Sequence, residues 1–118
     1  MTPENLKDKI CEILDNKKAI DINILKVDQL TIVADYFIIC TGRSNTQVRT
    51  LAEELIDKLD DEGINAIHND GVREGKWAVV DYGSIMVHIF NDETRIFYCL
   101  EKLWSDGSNI QQYRPSAN

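Results

Sequence analysis

The stretch from Trp77 to Phe90 constrains the fold more than any other part of the chain. Two apolar runs, both rich in Val, Ile and aromatic residues, are joined by the short segment 81–84, which contains a glycine. Such a loop between two strand-like runs predicts a β-hairpin. Both runs are almost continuously apolar, which is typical of strands covered on both faces. The chain therefore has to build a sheet with a layer on each side.

Two polar residues in this hairpin need an explanation. Asp81 is most simply the residue that opens the turn, and His88 a hydrogen-bonded core histidine. Alternation along the first strand places Trp77, Val79 and Asp81 on one face. Trp77 directly follows a polar loop and is an unusual first residue for a strand, so it is also a candidate for binding.

The remaining elements follow from capping residues and periodicity. Thr2 and Pro3 predict the start of a first helix, and strands are expected at 21–27 and 36–41. The capping box at Ser44 begins a second helix that ends at Gly63. A short strand at 64–68 and a turn at 69–71 should follow. One last helix is predicted from Asn91, with its apolar face formed by Ile96, Phe97, Leu100, Leu103 and Trp104.

Length and charge limit the class of protein. The 118 residues suit one domain, which we assign to residues 1–104, followed by a polar C-terminal tail at 105–118. The net charge of −7 argues against binding to nucleic acid, unless a local basic patch exists, and favours a basic protein partner. Three widely spaced cysteines indicate neither a disulfide framework nor a zinc ribbon. Without a visible signal peptide or membrane span, we expect a cytoplasmic protein.

Catalytic chemistry has one weak candidate. The junction Thr41-Gly42-Arg43-Ser44 precedes a helix, where an anion could bind, and it resembles the Gly-Ser turn of nucleotidyltransferases. Their chemistry needs paired carboxylates on the next strand to hold metal ions. Residues 65–68 offer no such pair, and Asp81 stands alone. We therefore predict no catalytic residues, no cofactor and no enzymatic activity.

A metal site is also not expected. Two histidines and two aspartates could be imagined as ligands, but their spacing matches no common zinc motif. These residues are His68, Asp70, Asp81 and His88.

Five segments together resemble the ribosomal silencing factor family, also called the Iojap family. They are residues 34–42, 77–83, 87–90, 95–98 and 100–104. The resemblance covers about residues 4–104, and the ordered set is specific although each piece alone is weak. It implies an α/β (α+β) fold, with a mixed β-sheet of about five strands flanked by helices. That fold is nucleotidyltransferase-like without the active site, in agreement with the missing carboxylate pair.

The resemblance also implies a function. Members act as translational repressors that bind the large ribosomal subunit through universal large-subunit protein fourteen. They sterically block joining of the small subunit, so translation falls when nutrients are limiting. Little direct contact with nucleic acid and no contact with membranes are expected, and the free protein could form a homodimer. Two positions depart from the family pattern: Ser84 replaces a common Asp, and Asp70-Gly71 replaces the usual Glu-Gly.

The expected binding site combines both lines of reasoning. Aromatic residues at the centre of an interface often carry much of the binding energy, so Trp77 is proposed as the anchor. Core packing is the alternative for Trp77 and for Tyr98. The expected partner-binding residues are Asp70, Gly71, Trp77, Asp81, Tyr82 and Tyr98.

Two rival functions remain open. One is a nucleotide- or phosphate-handling enzyme that uses the Gly42-Arg43-Ser44 turn. The other is a cytosolic homodimeric adaptor with no ribosomal role. Co-sedimentation with large ribosomal subunits separates both from the leading interpretation.

Overall fold

A six-stranded mixed sheet forms the centre of the computed structural model, which describes residues 2–114. The elements in chain order are α1 (Pro3–Asn16), β1 (Ile20–Lys26), β2 (Tyr36–Gly42), α2 (Asn45–Asp61), β3 (His68–Asp70), β4 (Trp77–Asp81), β5 (Ile85–Asn91), α3 (Asp92–Tyr98), α4 (Leu100–Trp104) and β6 (Ile110–Gln112). Within residues 2–114 the strand order is β3-β4-β5-β2-β1-β6, and only the β2–β5 pair is parallel. The predicted mixed sheet flanked by helices is confirmed.

The hairpin and the capping signals form as predicted. β4 and β5 pair antiparallel, with Trp77 opposite Phe90 and Asp81 opposite Met86. Thr2 caps α1 by accepting a hydrogen bond from a backbone N–H of the first turn, and Ser44 caps α2 in the same way. Each capping hydroxyl satisfies a helix N–H that has no partner within the helix.

Two apolar layers cover the two faces of the sheet. α1 and α2 pack on one face, where alternate residues of the central strands, such as Ile38 and Val87, meet the buried stripe of α2. The other face carries a smaller cluster that includes Phe37, Phe90 and Leu100. Every residue of β2 is buried, because both of its faces are covered.

The predicted strand at 64–68 is wrong in position. The strand is β3, and all three of its residues are exposed. β3 lies at the edge of the sheet and is defined by its pairing with β4, where His68 lies opposite Asp81 and Asp70 opposite Val79. The predicted turn at 69–71 is also wrong in its first two residues, which belong to β3. Gly71 alone has the positive φ of a turn residue, at 73°.

The single last helix is also wrong, because the chain breaks at Cys99. This residue has φ 46° and ψ 49°, in the left-handed region, and it separates α3 from α4. Leu100 after the break is buried, while Ile96 and Phe97 before it are 75% and 80% exposed. The expected apolar face is therefore split between the core and the surface.

Part of the predicted tail adds the sixth strand. β6 pairs antiparallel with β1, and Leu25 lies opposite Ile110. The alternating apolar pattern did not indicate it, because all three residues of β6 are exposed at the sheet edge. The last four residues of the predicted tail lie outside the described residues.

Arg95 holds the broken helical segment against the sheet. Its guanidinium donates hydrogen bonds to the Glu101 carboxylate, the backbone oxygen of Asp21 and the Thr41 hydroxyl, and Asn23 donates to the same carboxylate. Burial alone raises the pKa of Glu101, but the hydrogen bond and charge of Arg95 outweigh it, so this pKa lies below its ordinary value. One side chain thus joins α3, α4, β1 and β2.

We expect Arg95→Gln to lower the free energy of unfolding by about 1.5–3 kcal/mol, the usual range for hydrogen bonds to a charged group. Urea unfolding of the variant beside Lys102→Gln, which changes an exposed cation on the same segment, measures the difference. The double variant Arg95→Gln/Glu101→Gln should cost less than the sum of the two single changes, because the partners are coupled. Additive costs would contradict this role.

Candidate partner-binding surface

Trp77, the first residue of β4, lies against Tyr98 of α3 and is half-buried. Its ring stacks on Phe90 with centroids 5.0 Å apart and an interplanar angle of 25°, and the Tyr98 ring lies 4.8 Å away. Aromatic pairs at these separations stabilise a fixed orientation. Trp77 is therefore both a packed residue and an accessible one, which combines the two interpretations that the sequence left open.

His88 fixes the other side of the indole. The Trp77 Nε1–H donates a hydrogen bond to His88 Nδ1 at 3.1 Å, and the Phe37 ring meets the imidazole edge-on at 5.2 Å. His88 is 5% exposed, so the prediction of a hydrogen-bonded core histidine is confirmed. With Nδ1 as acceptor, the neutral ring carries its proton on Nε2, which is buried without a hydrogen-bond partner in the described chain. Burial lowers the pKa of His88 to about 4.

A groove of about 460 Å³ opens beside Trp77. Four of the six predicted binding residues line it, contributed by β3, the loop that follows it, β4 and α3. The lining residues are Asp70, Gly71, Glu74, Lys76, Trp77, Val79, Thr94 and Tyr98. The structure therefore brings together residues that are up to 28 positions apart in the sequence.

A second, neighbouring groove of about 560 Å³ extends this surface over α3. It shares Lys76, Thr94 and Tyr98 with the first and adds the exposed side chains of Ile96 and Phe97. We call the two grooves together the Trp77 face. The continuous helix expected from the sequence would have buried Ile96 and Phe97, so their exposure was not predicted.

Asp81 and Tyr82 lie away from the Trp77 face. Asp81 is at the opposite end of β4, roughly 13 Å along the strand, where its Oδ1 accepts a hydrogen bond of 2.7 Å from the Gly83 N–H. This bond matches the simpler interpretation of Asp81 as the residue that opens the turn. Tyr82 is 8% exposed and packs in the core under α1 and α2, where burial raises the pKa of its phenol to about 12.

The loop 71–76 has a fixed shape. The Gly75 N–H donates a 3.1 Å hydrogen bond to the Gly71 oxygen, and both glycines have φ near 75°. A side chain at Gly71 would collide with the backbone oxygen of Trp77, and one at Gly75 with that of Asn45. The loop thus packs closely against the start of β4 and the start of α2.

The turn that resembled a nucleotide-binding loop is occupied by helix capping. Ser44 accepts from the Gln47 N–H, and the Gln47 side-chain oxygen accepts from the Arg43 N–H at 2.6 Å. Gly42 packs against Val48, so close that a side chain would not fit. Across residues 2–114, no three His, Cys, Asp or Glu side chains converge as metal ligands would. In that same range no helix has the length and apolarity to cross a bilayer.

Comparison with known proteins gives a consistent result. The family described as "Ribosomal silencing factor during starvation" matches residues 1–118. Ribosomal silencing factor RsfS of Bacillus subtilis (strain 168) is 44% identical over 92 residues, 78% of each chain. The chloroplastic protein Iojap of Zea mays is 30% identical over 94 residues, 80% of this chain and 41% of that protein. A crystal structure from Chromobacterium violaceum superposes with a TM-score of 0.87 at 31% identity, covering 98% of this chain and 92% of that one.

The environment of His88 predicts a pH-dependent stability. Its pKa is about 4 when folded and about 6.5 when unfolded, so only the unfolded chain gains the proton between these values. The contribution of His88 to the free energy of unfolding is fully present well above pH 6.5 and is lost as the pH falls towards 4. Between pH 7 and pH 5 this loss is about 2 kcal/mol. Urea unfolding at these two pH values should show the loss, and His88→Leu should remove most of it. An unchanged pH dependence in His88→Leu would contradict this assignment.

Proposed function

The chain belongs to the ribosomal silencing factor family, and from this premise we propose that it regulates translation by binding the large ribosomal subunit. The proposed contact is with universal large-subunit protein fourteen, and the bound protein blocks joining of the small subunit when nutrients are limiting. The Trp77 face is the surface that we assign to this contact.

The arrangement of Trp77 supports the proposal most strongly. Its indole is accessible from the groove, yet three neighbours hold it: Phe90 by stacking, Tyr98 by close approach and His88 by a hydrogen bond. A side chain that is already ordered loses little conformational entropy when a partner covers it. Tryptophan and tyrosine are also the residues most enriched among those that dominate binding energy.

The exposed side chains of α3 extend the apolar part of this surface. Ile96 and Phe97 lie next to Tyr98, whose ring meets that of Phe97 edge-on at 5.1 Å. Neighbouring exposed apolar side chains that are rimmed by polar residues are typical of sites that bind other proteins. The rim here includes the carboxylates of Asp70, Glu74 and Glu93.

Charge supports a basic partner. The chain carries a net charge of −7, and among the described residues three carboxylates and one cation, Lys76, line the Trp77 face. Complementary charge accelerates encounter and sets the orientation of binding. A basic ribosomal protein that presents an apolar pocket for an aromatic ring would satisfy both requirements.

We expect Trp77→Ala to weaken binding to purified large subunits by about thirtyfold or more, the cost of truncating a central interface aromatic. It should equally relieve the block on subunit joining, measured by light scattering when small subunits are added. Trp104→Ala is the matched control, because Trp104 packs in the same aromatic layer, 5.2 Å from Phe37, without lining the Trp77 face. Equal loss of binding in both variants would show that the effect comes from weakened packing.

Phe97→Ala separates binding from folding more cleanly. Because the side chain is 80% exposed, its removal should change the free energy of unfolding by less than about 0.5 kcal/mol. Binding to large subunits should fall about tenfold if the partner covers α3. Leu103→Ala, which removes a side chain 73% exposed on α4 and outside the Trp77 face, should bind normally. Normal binding of Phe97→Ala would remove α3 from the proposed contact.

A further inference from the structure

Positive charge is concentrated at one end of this acidic molecule. The stretches 17–19, 42–50 and 71–76 hold six cations and a single carboxylate, Glu74. With Glu54, which pairs with Lys17 at 3.7 Å, the local charge is +4 in a chain of net charge −7. We call these cations the basic edge: Lys17, Lys18, Arg43, Arg49, Arg73 and Lys76.

Direct contacts bring the three stretches together around the first turns of α2. The Gln47 side chain donates to the Lys18 backbone oxygen at 3.2 Å. The Arg49 guanidinium donates twice to the Arg73 backbone oxygen, at 3.1 and 2.9 Å. Gly75 packs on the backbone oxygen of Asn45, the first residue of α2. The basic edge is therefore a continuous part of the surface, and the positive end of the α2 dipole adds to it.

Most of these cations have no carboxylate partner. In the part of the chain that the structure describes, ion pairs within 4.0 Å involve Lys7, Lys9, Lys17 and Arg95, so only Lys17 of the basic edge is paired. Lys18, Arg43, Arg49, Arg73 and Lys76 are all exposed. Their charges are available to a ligand from solvent.

The basic edge also adjoins the Trp77 face. Lys76 lines both grooves, and the loop 71–76 carries Arg73 on the side of α2 and Gly71 on the side of Trp77. When a partner binds the Trp77 face, the molecules next to that partner would therefore lie close to these cations. A basic protein would be repelled by them, so this edge needs a different, anionic ligand.

We propose that the basic edge binds the phosphate backbone of ribosomal RNA beside the protein contact, an inference that rests on the proposed function. Clustered, unpaired Lys and Arg side chains are the usual contacts to RNA phosphates, and they position a protein without reading sequence. The net charge of the whole chain argues against binding to nucleic acid unless a local basic patch exists. The fold forms such a patch by bringing three separate stretches together. The protein contact and the RNA contact then together fix one orientation on the subunit.

The test neutralises three cations whose side chains make no hydrogen bond in the described structure: Lys18→Gln/Arg43→Gln/Arg73→Gln. Arg49 is kept because it holds the loop, and Lys76 because it lines the Trp77 face. The matched control, Lys26→Gln/Lys58→Gln/Lys102→Gln, removes three exposed cations elsewhere and gives the same net charge. Affinity is measured from 50 to 300 mM salt, for intact large subunits and for isolated universal large-subunit protein fourteen.

On intact subunits, the basic-edge variant should bind about tenfold or more weakly, and the salt dependence of log affinity should lose a slope of about 2 to 3. The control should bind subunits as the unaltered protein does. On the isolated protein, both variants should bind at least as tightly as the unaltered chain, because both are more acidic. Equal binding of the two variants to subunits would overturn the RNA contact. Failure of the unaltered chain to bind subunits would instead overturn the proposed function.

Discussion

The parallel pairing of β2 with β5 is the constraint on which the rest of the structure depends. These two strands form the middle of the sheet, joined through pairs such as Ile38 with Val87, and β2 is buried along its whole length. A fully buried strand needs a layer on each face. α1 and α2 supply one layer, and the aromatic cluster with α4 supplies the other. The Trp77 face is the margin of that second layer, so the candidate site and the core share the same packing.

Sequence patterns predicted the elements whose signals are local. The hairpin, the Ser44 cap and the buried stripe of α2 depend on neighbouring residues, and all three are found. β3 and β6 could not be read in this way, because their residues are exposed and only pairing with a neighbouring strand defines them. The break at Cys99 was equally hidden, because this residue has a positive φ although it is not a glycine. The contacts that fix the adjoining segment, such as those of Arg95 to Asp21 and Thr41, join residues far apart in the sequence.

The candidate site was predictable in part for the same reason. Trp77 is an aromatic residue that follows a polar loop, Tyr98 was expected as its neighbour from the last helix, and the fold places their rings side by side. Tyr82 was expected in the same binding site as Trp77 and Tyr98. Strand alternation already indicated otherwise, because Trp77 and Asp81 share one face of the sheet and the residue after Asp81 points to the other. Phe97 could not be recognised, because its exposure follows from the helix break rather than from its own sequence context.

The two glycines of the loop 71–76 limit which changes this surface can accommodate. Neither position accepts a side chain, and the hydrogen bond between them spans a fixed number of residues. An insertion or deletion would disrupt this arrangement, whereas side-chain changes at Val72, Arg73 and Glu74 between the glycines leave the hydrogen bond and both glycines in place. Arg73 and Glu74 are charged and exposed; Arg73 belongs to the basic edge, and Glu74 lines the groove beside Trp77. Single charge changes at these two positions would thus alter the proposed protein contact and the proposed RNA contact separately, on an unaltered backbone.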